Sequence, residues 1–251
     1  MKITKKVQSI LLPFVLLIGV TGCMNGKSSE DKILSYLEET YKESFEVEVF
    51  NEGSTMLKNM YGGDDMIVHP KGKPEHVFLA GEDRDHEGKY FDTYVLSKWA
   101  YELTKKLEPK INTLFPGVAD YRALMYVEDG KYDPSMKDMS VYDYFAKVNR
   151  DADVIVTMAI KTATPPTVSE YNEAVYQMLQ ELKTLNVQSY GVTVGFVEQD
   201  ADMADYIRTS QVNNLQWSNL KSKVYGTIMV DSFANITDSK QIEQYYEMFE
   251  E

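Results

Sequence analysis

One short stretch of the sequence places carboxylates at the alternate spacing with which proteins bind calcium. Asp83, Asp85 and Glu87 occupy every second position, and Gly88 follows them directly. Calcium is held by oxygen ligands from alternate positions of a tight loop, in which a glycine permits the sharp turn. The spacing therefore makes Asp83, Asp85 and Glu87 a candidate calcium site. A charged hairpin turn that holds no cofactor is the simpler interpretation, and we expect no cofactor other than calcium.

The hexapeptide 83–88 resembles the opening of an EF-hand calcium loop. That loop closes with a glutamate that binds the ion through both oxygens, whereas this sequence has Tyr94 at the corresponding position. Asp92 comes too early in the chain to replace that glutamate. The alternation of apolar and polar residues on both sides also predicts strands, not the two helices of an EF-hand.

The three histidines are a second set of possible metal ligands. His69, His76 and His86 fall within one segment of the chain. Zinc sites combine histidines at close spacing with further ligands, and His69 would approach His76 if the two lay on a hairpin. The sequence has no H-x-x-x-H or H-E-x-x-H motif. Separate surface histidines are therefore the preferred interpretation.

The motifs of hydrolytic and nucleotide chemistry are absent from the sequence. It contains no G-x-S-x-G nucleophile elbow, no G-x-x-x-x-G-K-[ST] loop and no G-x-G-x-x-G loop. Asp200 and Asp202 are a carboxylate pair of the kind that glycoside hydrolysis uses, but such pairs arise by chance in a chain with 39 acidic residues. We therefore expect a protein that is not an enzyme.

The first residues have the organisation of an export signal. A basic start that contains Lys2, Lys5 and Lys6 precedes an apolar run from Ile10 to Val20. That run is shorter than the ~20 apolar residues of a membrane-spanning helix and suits the core of a signal peptide.

The four residues Val20-Thr21-Gly22-Cys23 resemble the bacterial lipobox. The resemblance implies that the thiol of Cys23 takes a diacylglyceryl group and that a peptidase cuts before it. Residues 1–22 would then be the signal peptide and residues 23–29 a lipidated tether, with acyl chains such as palmitate in the membrane. Cys23 is the only cysteine of the chain, and lipidation explains a lone cysteine in an exported protein. An ordinary signal peptide or an uncleaved anchor is the alternative.

Residues 33–47 resemble the start of many uncharacterised lipoproteins of Gram-positive bacteria. In those proteins a helix ending in Tyr-x-x-x-Phe-x-Val leads into a curved sheet, and Tyr41, Phe45 and Val47 have that spacing here. The resemblance implies no activity. It favours the outer face of the cytoplasmic membrane as the location.

The chain is strongly acidic, with a net charge of −13. Removal of the basic leader would make the remainder more acidic still. Such a field repels nucleic acid, and no basic stripe is present, so we expect no nucleic-acid partner. The acidity serves solubility, with attraction of cations or basic peptides as the alternative.

The hydrophobic periodicity predicts helices alternating with short strands. We expect a helix over residues 30–43 with a capping box of Ser28 and Asp31, and a helix after Thr93 that Pro109 breaks or kinks. A helix over residues 168–185 should have a capping box of Thr167 and Glu170, and a last helix should open at Asp238.

The predicted fold class is α+β, with mostly antiparallel sheets that carry helices on one face. Most predicted strands alternate apolar with polar residues, as strands with one wet face do. The order of elements also suggests two lobes, an N-terminal one over residues 30–117 and a C-terminal one over residues 118–251.

These features favour a membrane-anchored extracytoplasmic lipoprotein that acts as a non-catalytic binding or interaction module. Its partners would be the membrane, through lipid on Cys23, and an envelope protein or peptide. The alternative is a solute or metal receptor that serves a transporter, with its ligand in a cleft between lobes. An envelope hydrolase is the least favoured function.

Overall fold

The computed structural model describes residues 28–53, 63–213 and 215–249. The predicted signal peptide, Cys23 and most of the tether lie outside these residues. Helices and two mostly antiparallel sheets, of four and five strands, make up the described part. The predicted α+β class is therefore confirmed. No helix in the described part is both long and apolar enough to span a membrane.

The first sheet is an antiparallel meander that follows a single helix in the chain. Its elements, in chain order, are α1 (Ser29–Tyr41), β1 (Phe45–Asn51), β2 (Asp65–Pro70), β3 (Phe78–Glu82) and β4 (Tyr90–Asp92). The predicted capping box at the start of α1 is present, because the side chains of Ser28 and Asp31 each accept from the other's backbone N–H. Lys42, in the left-handed conformation, ends the helix.

The long helix α2 (Tyr94–Leu114) packs against strands of both sheets. Its buried face includes Trp99 and Leu103. Of the two outcomes expected at Pro109, a break does not occur, since the helix continues to Leu114, and a kink stays a prediction. A proline within a helix removes one backbone donor, and burial of the following turn through Ile111 opposes that loss.

The second sheet contains one parallel pair among antiparallel ones. Its elements are β5 (Asp120–Val127), α3 (Val141–Lys147), β6 (Ala152–Thr162), α4 (Asn172–Lys183), β7 (Ser189–Glu198), α5 (Ala204–Arg208), β8 (Val224–Asp231) and β9 (Tyr246–Met248). The strands lie side by side in chain order, and only β6 and β7 are parallel. A parallel pair needs a crossover, which α4 supplies.

Two predicted helices differ from the structure at their ends. The helix expected from residue 168 begins as a 3₁₀ helix, α4 starts only at Asn172, and the side chain of Thr167 makes no capping bond. At the C-terminus Asp238 caps a 3₁₀ helix, but the chain then becomes β9 instead of continuing as a helix. Pairing of β9 with the free edge of β8 satisfies its backbone groups and so overrides the local helical pattern.

One apolar core runs through both sheets, and a smaller one covers the opposite face of the second sheet. The main core contains Trp99, whose indole N–H donates to the carbonyl of Met139 at 2.8 Å. The second core consists of Ala159, Val197, Ala201, Met203, Ile207 and Trp217. The predicted boundary between residues 117 and 118 falls between α2 and β5, where the strands of the first sheet give way to those of the second. The division into two lobes stays a prediction.

Candidate functional site

A groove of about 790 Å³ opens beside β4 and the start of α2. We call it the acidic groove. Its carboxylates belong to Asp65, Glu82, Asp83, Asp85, Asp92, Asp129 and Asp133, and its aromatic lining to Tyr36, Tyr41, His86, Phe91 and Tyr132. Among the described lining residues, one is a lysine or an arginine, namely Arg84. The lining therefore combines negative charge with tyrosine rings.

Asp92 at the end of β4 holds the acidic groove together. Its two carboxylate oxygens accept from the hydroxyls of Tyr36 and Tyr41, each at 2.7 Å, and from the backbone N–H of Tyr94 at 3.0 Å. The hydroxyl of Tyr132 donates to the Asp92 carbonyl at 3.4 Å. These bonds join α1, β4 and the start of α2, so the floor of the groove is fixed by three elements.

The tyrosines of this floor remain protonated at neutral pH. Burial, followed by the charge of Asp92, raises the pKa of Tyr36 and Tyr41 well above the ordinary value for a phenol. Burial and the same carboxylate raise the pKa of Tyr132. Because all three hydroxyls stay neutral, they can donate hydrogen bonds but cannot act as bases or nucleophiles.

The candidate calcium ligands lie in the hairpin turn between β3 and β4. Asp83 Oδ1 accepts from the backbone N–H of Asp85 at 2.8 Å and of His86 at 3.1 Å. These bonds, led by that of Asp85, lower the pKa of the Asp83 carboxyl. Asp83 and Asp85 line the acidic groove, whereas Glu87 is exposed and is not among its lining residues. The carboxylate of Asp83 therefore stabilises the turn through its own hydrogen bonds.

The described residues include no cluster of side chains that could bind a metal ion. Within residues 28–53, 63–213 and 215–249, no three His, Cys, Asp or Glu side chains are grouped so as to hold an ion. His69 Nε2 lies 3.5 Å from Glu48, and the ring of His76 packs edge-on against Tyr101. The calcium site stays a prediction. The histidines have separate surroundings, but the expectation of surface positions was wrong for His69, which is buried.

The carboxylate pair considered for hydrolysis belongs to a helix start. Asp202 accepts from the backbone N–H of Ala204 at 3.2 Å, at the beginning of α5, and its side chain is exposed. This bond closes a turn just before α5, whose N-cap residue is Met203, so Asp202 has a local structural role.

A pair of arginines that no sequence motif indicated joins the two sheets. Arg208 on α5 binds Glu48 of β1 through two bonds of 2.7 and 2.8 Å and donates to the carbonyl of Pro74 at 3.0 Å. Arg122 on β5 is buried and donates to the next carbonyl, that of Glu75, at 2.9 Å. Burial and the charge of Arg208 lower the pKa of Arg122 to about 10.

Arg122 had a signal in the sequence. It alternates with Tyr121 and Ala123, and on a strand this spacing places it on the face opposite theirs. The expectation of one wet face per strand is wrong here, because α5 covers that face. Tyr36 and Tyr132 gave no comparable signal, because only the folded chain brings α1 and the loop after β5 to the same groove.

Known proteins offer little to compare with this chain. No protein-family model matches it, and no curated protein matches it either. Among solved structures, a DUF5037 family protein from Ruminococcus gnavus is similar at 16% sequence identity, with a TM-score of 0.42 over 72% of this chain and 78% of that chain. Similarity at this level supports no statement about function.

Proposed function

We propose that this protein is an extracytoplasmic lipoprotein, held at the outer face of the cytoplasmic membrane by lipid on Cys23, whose folded part binds a partner without catalysis. The partner is an envelope protein or peptide that presents lysine or arginine side chains to the acidic groove. The observation that carries the proposal is the lining of that groove, in which carboxylates and tyrosine rings occur together.

Both kinds of lining group attract cations. An ammonium or guanidinium group is drawn to the face of a tyrosine ring and to nearby carboxylates. The net charge of −13 adds a long-range field that speeds the approach of basic segments. The groove is open to solvent, and its volume of about 790 Å³ leaves room for several side chains of a peptide segment.

The chemistry of the floor favours binding over catalysis. The carboxylate of Asp92 is occupied by two hydroxyls and one backbone N–H. The tyrosine hydroxyls keep their protons, because burial raises their pKa. A general base has to be free to take a proton near the working pH. Neither the hydrogen-bonded carboxylate of Asp92 nor the protonated hydroxyls of Tyr36 and Tyr41 are free in this way.

The test is calorimetric titration of the full chain, in nonionic detergent, with a short lysine-rich peptide. The same peptide with acetylated lysines is the uncharged reference. We expect the charged peptide to bind and its affinity to fall as salt screens the groove. The doubly substituted variant Asp129→Asn, Asp133→Asn should bind the charged peptide about fivefold more weakly, since each exposed ion pair contributes little.

The matched control carries the same number of charge changes away from the groove. Asp143 on α3 and Glu247 on β9 are exposed, and neither lines the groove. The variant Asp143→Asn, Glu247→Gln should retain the affinity of the native chain. Equal losses in both variants would mean that net charge alone attracts the peptide. Equal binding of the acetylated peptide would contradict a cation site.

A further inference from the structure

A second pocket, of about 460 Å³, lies at the end of the second sheet where β5 begins and β6 ends. We call it the strand-end pocket. The end of α2, the loop before β5, the last residues of β6 and the start of α4 contribute its walls. It shares no lining residue with the acidic groove.

The pocket exists because β6 is longer than its neighbour. β5 begins at Asp120, which pairs with Ala159, whereas β6 continues to Thr162. Ahead of Asp120 the chain turns away at Gly117, whose positive φ of 87° favours glycine. The last part of β6 thus has no partner strand on that side among the described residues, and the pocket occupies the place where β5 would continue.

Two opposite charges face this pocket without neutralising each other fully. Lys161 Nζ lies 3.8 Å from Asp120 Oδ2, which is too long for a hydrogen bond. The side chain of Asp120 is only 13% exposed, and no described residue donates a hydrogen bond to its carboxylate. At this distance the pair with Lys161 leaves the carboxylate of Asp120 able to accept a hydrogen bond from a ligand in the pocket.

The rest of the lining is largely apolar. Phe115, Ile160 and Ala174 contribute hydrocarbon, and Tyr171 contributes a ring that packs edge-on against Phe196. Burial raises the pKa of Tyr171, so that ring is uncharged at neutral pH. Glu170, an exposed second carboxylate, and Gln199 are the other polar residues of the lining. A site of opposite charges beside an apolar wall matches a small zwitterion that carries a hydrocarbon group.

We propose that the strand-end pocket binds a free α-amino acid with an apolar side chain. The ammonium group of the ligand donates to Asp120, its carboxylate accepts from Lys161, and its side chain packs against Phe115 and Tyr171. Such a ligand has no net charge, so the acidic field of the protein does not repel it. The volume of the pocket lies within the ~300–1,000 Å³ of small-molecule sites. The inference is independent of the acidic groove.

The test is calorimetric titration of the full chain, in nonionic detergent, with leucine and phenylalanine. Leucine methyl ester lacks the carboxylate charge, and N-acetyl-leucine lacks the ammonium charge. We expect each analogue to bind at least about tenfold more weakly than leucine, because each leaves one charged group of the pocket unpaired. Absence of binding by both amino acids, or equal binding of leucine and either analogue, overturns the proposal.

Two variants assign the contacts. Lys161→Met should weaken the binding of leucine to the level of leucine methyl ester and leave the binding of the ester unchanged. Asp120→Asn should weaken the binding of leucine to the level of N-acetyl-leucine and leave the binding of N-acetyl-leucine unchanged. Lys147→Met, which breaks the exposed pair of Lys147 with Asp143, is the control and should bind like the native chain. A loss that is equal for leucine and the ester in Lys161→Met contradicts the assigned contact. The analogue series on the native chain decides the proposal even if a variant fails to fold.

Discussion

The indole ring of Trp217 lies directly against the α-carbon of Gly195 in the middle of β7, so that a methyl group at residue 195 would overlap the ring carbons. The contact brings Trp217 down onto the face of the sheet that α5 also covers, and the ring is buried there. A side chain of any size at residue 195 would hold the indole away from the sheet. Glycine at this position is therefore a packing requirement of the second core.

The first prediction concerns this contact. Gly195→Ala should lower the free energy of unfolding by about 2 kcal/mol, because overpacking displaces the indole. Urea denaturation followed by circular dichroism measures the loss. Combination with Trp217→Leu should cost less than the sum of the two single substitutions, since the smaller side chain makes room for the methyl group. Full stability of Gly195→Ala would show that the ring moves aside without cost.

The second prediction concerns Arg122. Its Nε and Nη2 are buried without a hydrogen-bond partner among the described residues, and its charge is desolvated. Arg122→Met keeps most of the volume and removes the charge, so we expect a gain in unfolding free energy of about 1 kcal/mol. Urea denaturation measures it, with Arg84→Met, at an exposed residue, as a control that should change little. A clear loss of stability in Arg122→Met would mean that the bond to the carbonyl of Glu75 outweighs the cost of burying the charge.

The third prediction concerns pH. Burial, opposed by Glu75 and reinforced by Lys98, Arg122 and Lys73, lowers the pKa of His76. The unfolded chain takes up a proton at this residue near its ordinary pKa of about 6.5, and the folded chain resists it. Stability is therefore present above that pH and is lost as the pH falls below it.

The variant His76→Phe isolates this effect. It retains a ring against Tyr101 and has nothing to protonate, so its stability should fall less than that of the native chain between about pH 7 and about pH 5. Thermal unfolding at each pH measures the difference. Val148→Ala, at an exposed residue without a titratable group, should follow the native profile. If the difference in unfolding temperature between His76→Phe and the native chain does not change with pH, protonation of His76 does not cause the loss of stability.

The fourth prediction concerns the anchor. Cys23→Ala removes the thiol to which the lipid would be attached, so the protein expressed in a Gram-positive host should leave the washed-membrane fraction. Two acyl chains hold a protein at a membrane, and none do after this substitution. Fractionation with immunodetection measures the distribution, and Met24→Ala, one residue further on, should remain membrane-bound. Retention of Cys23→Ala at the mass of the chain without residues 1–22 would exclude the lipid as the anchor, whereas retention of the uncut chain would be due to the apolar run of its leader.

Local features of this fold were predictable, and those that depend on distant partners were not. The capping box of Ser28 and Asp31 was found because both residues belong to one helical turn. The same spacing at Thr167 and Glu170 predicted a capping box that does not form, because the chain forms a 3₁₀ turn there before α4 begins. The strand β9 could not be predicted, since it exists through its pairing with β8.

The candidate site was predictable only in part. Asp83 and Asp85 were singled out by their spacing, and both line the acidic groove. Tyr36 and Tyr132 come to the same groove from segments that no sequence spacing relates. The buried face of Arg122 escaped notice because a short helix, α5, supplies its cover from far along the chain. Burial by remote segments is not encoded in a local pattern.

The sheet that separates the two apolar cores also separates the two tryptophans of the chain, Trp99 in the main core and Trp217 in the second. Each core therefore contains its own intrinsic fluorophore. Replacing Trp99 with phenylalanine leaves an emission that reports on the second core alone, and replacing Trp217 leaves one that reports on the main core. Coincident transitions would mean that both cores melt as one cooperative unit. An earlier change in the Trp217 emission would mean that the cover formed by α5 opens while the main core stays intact.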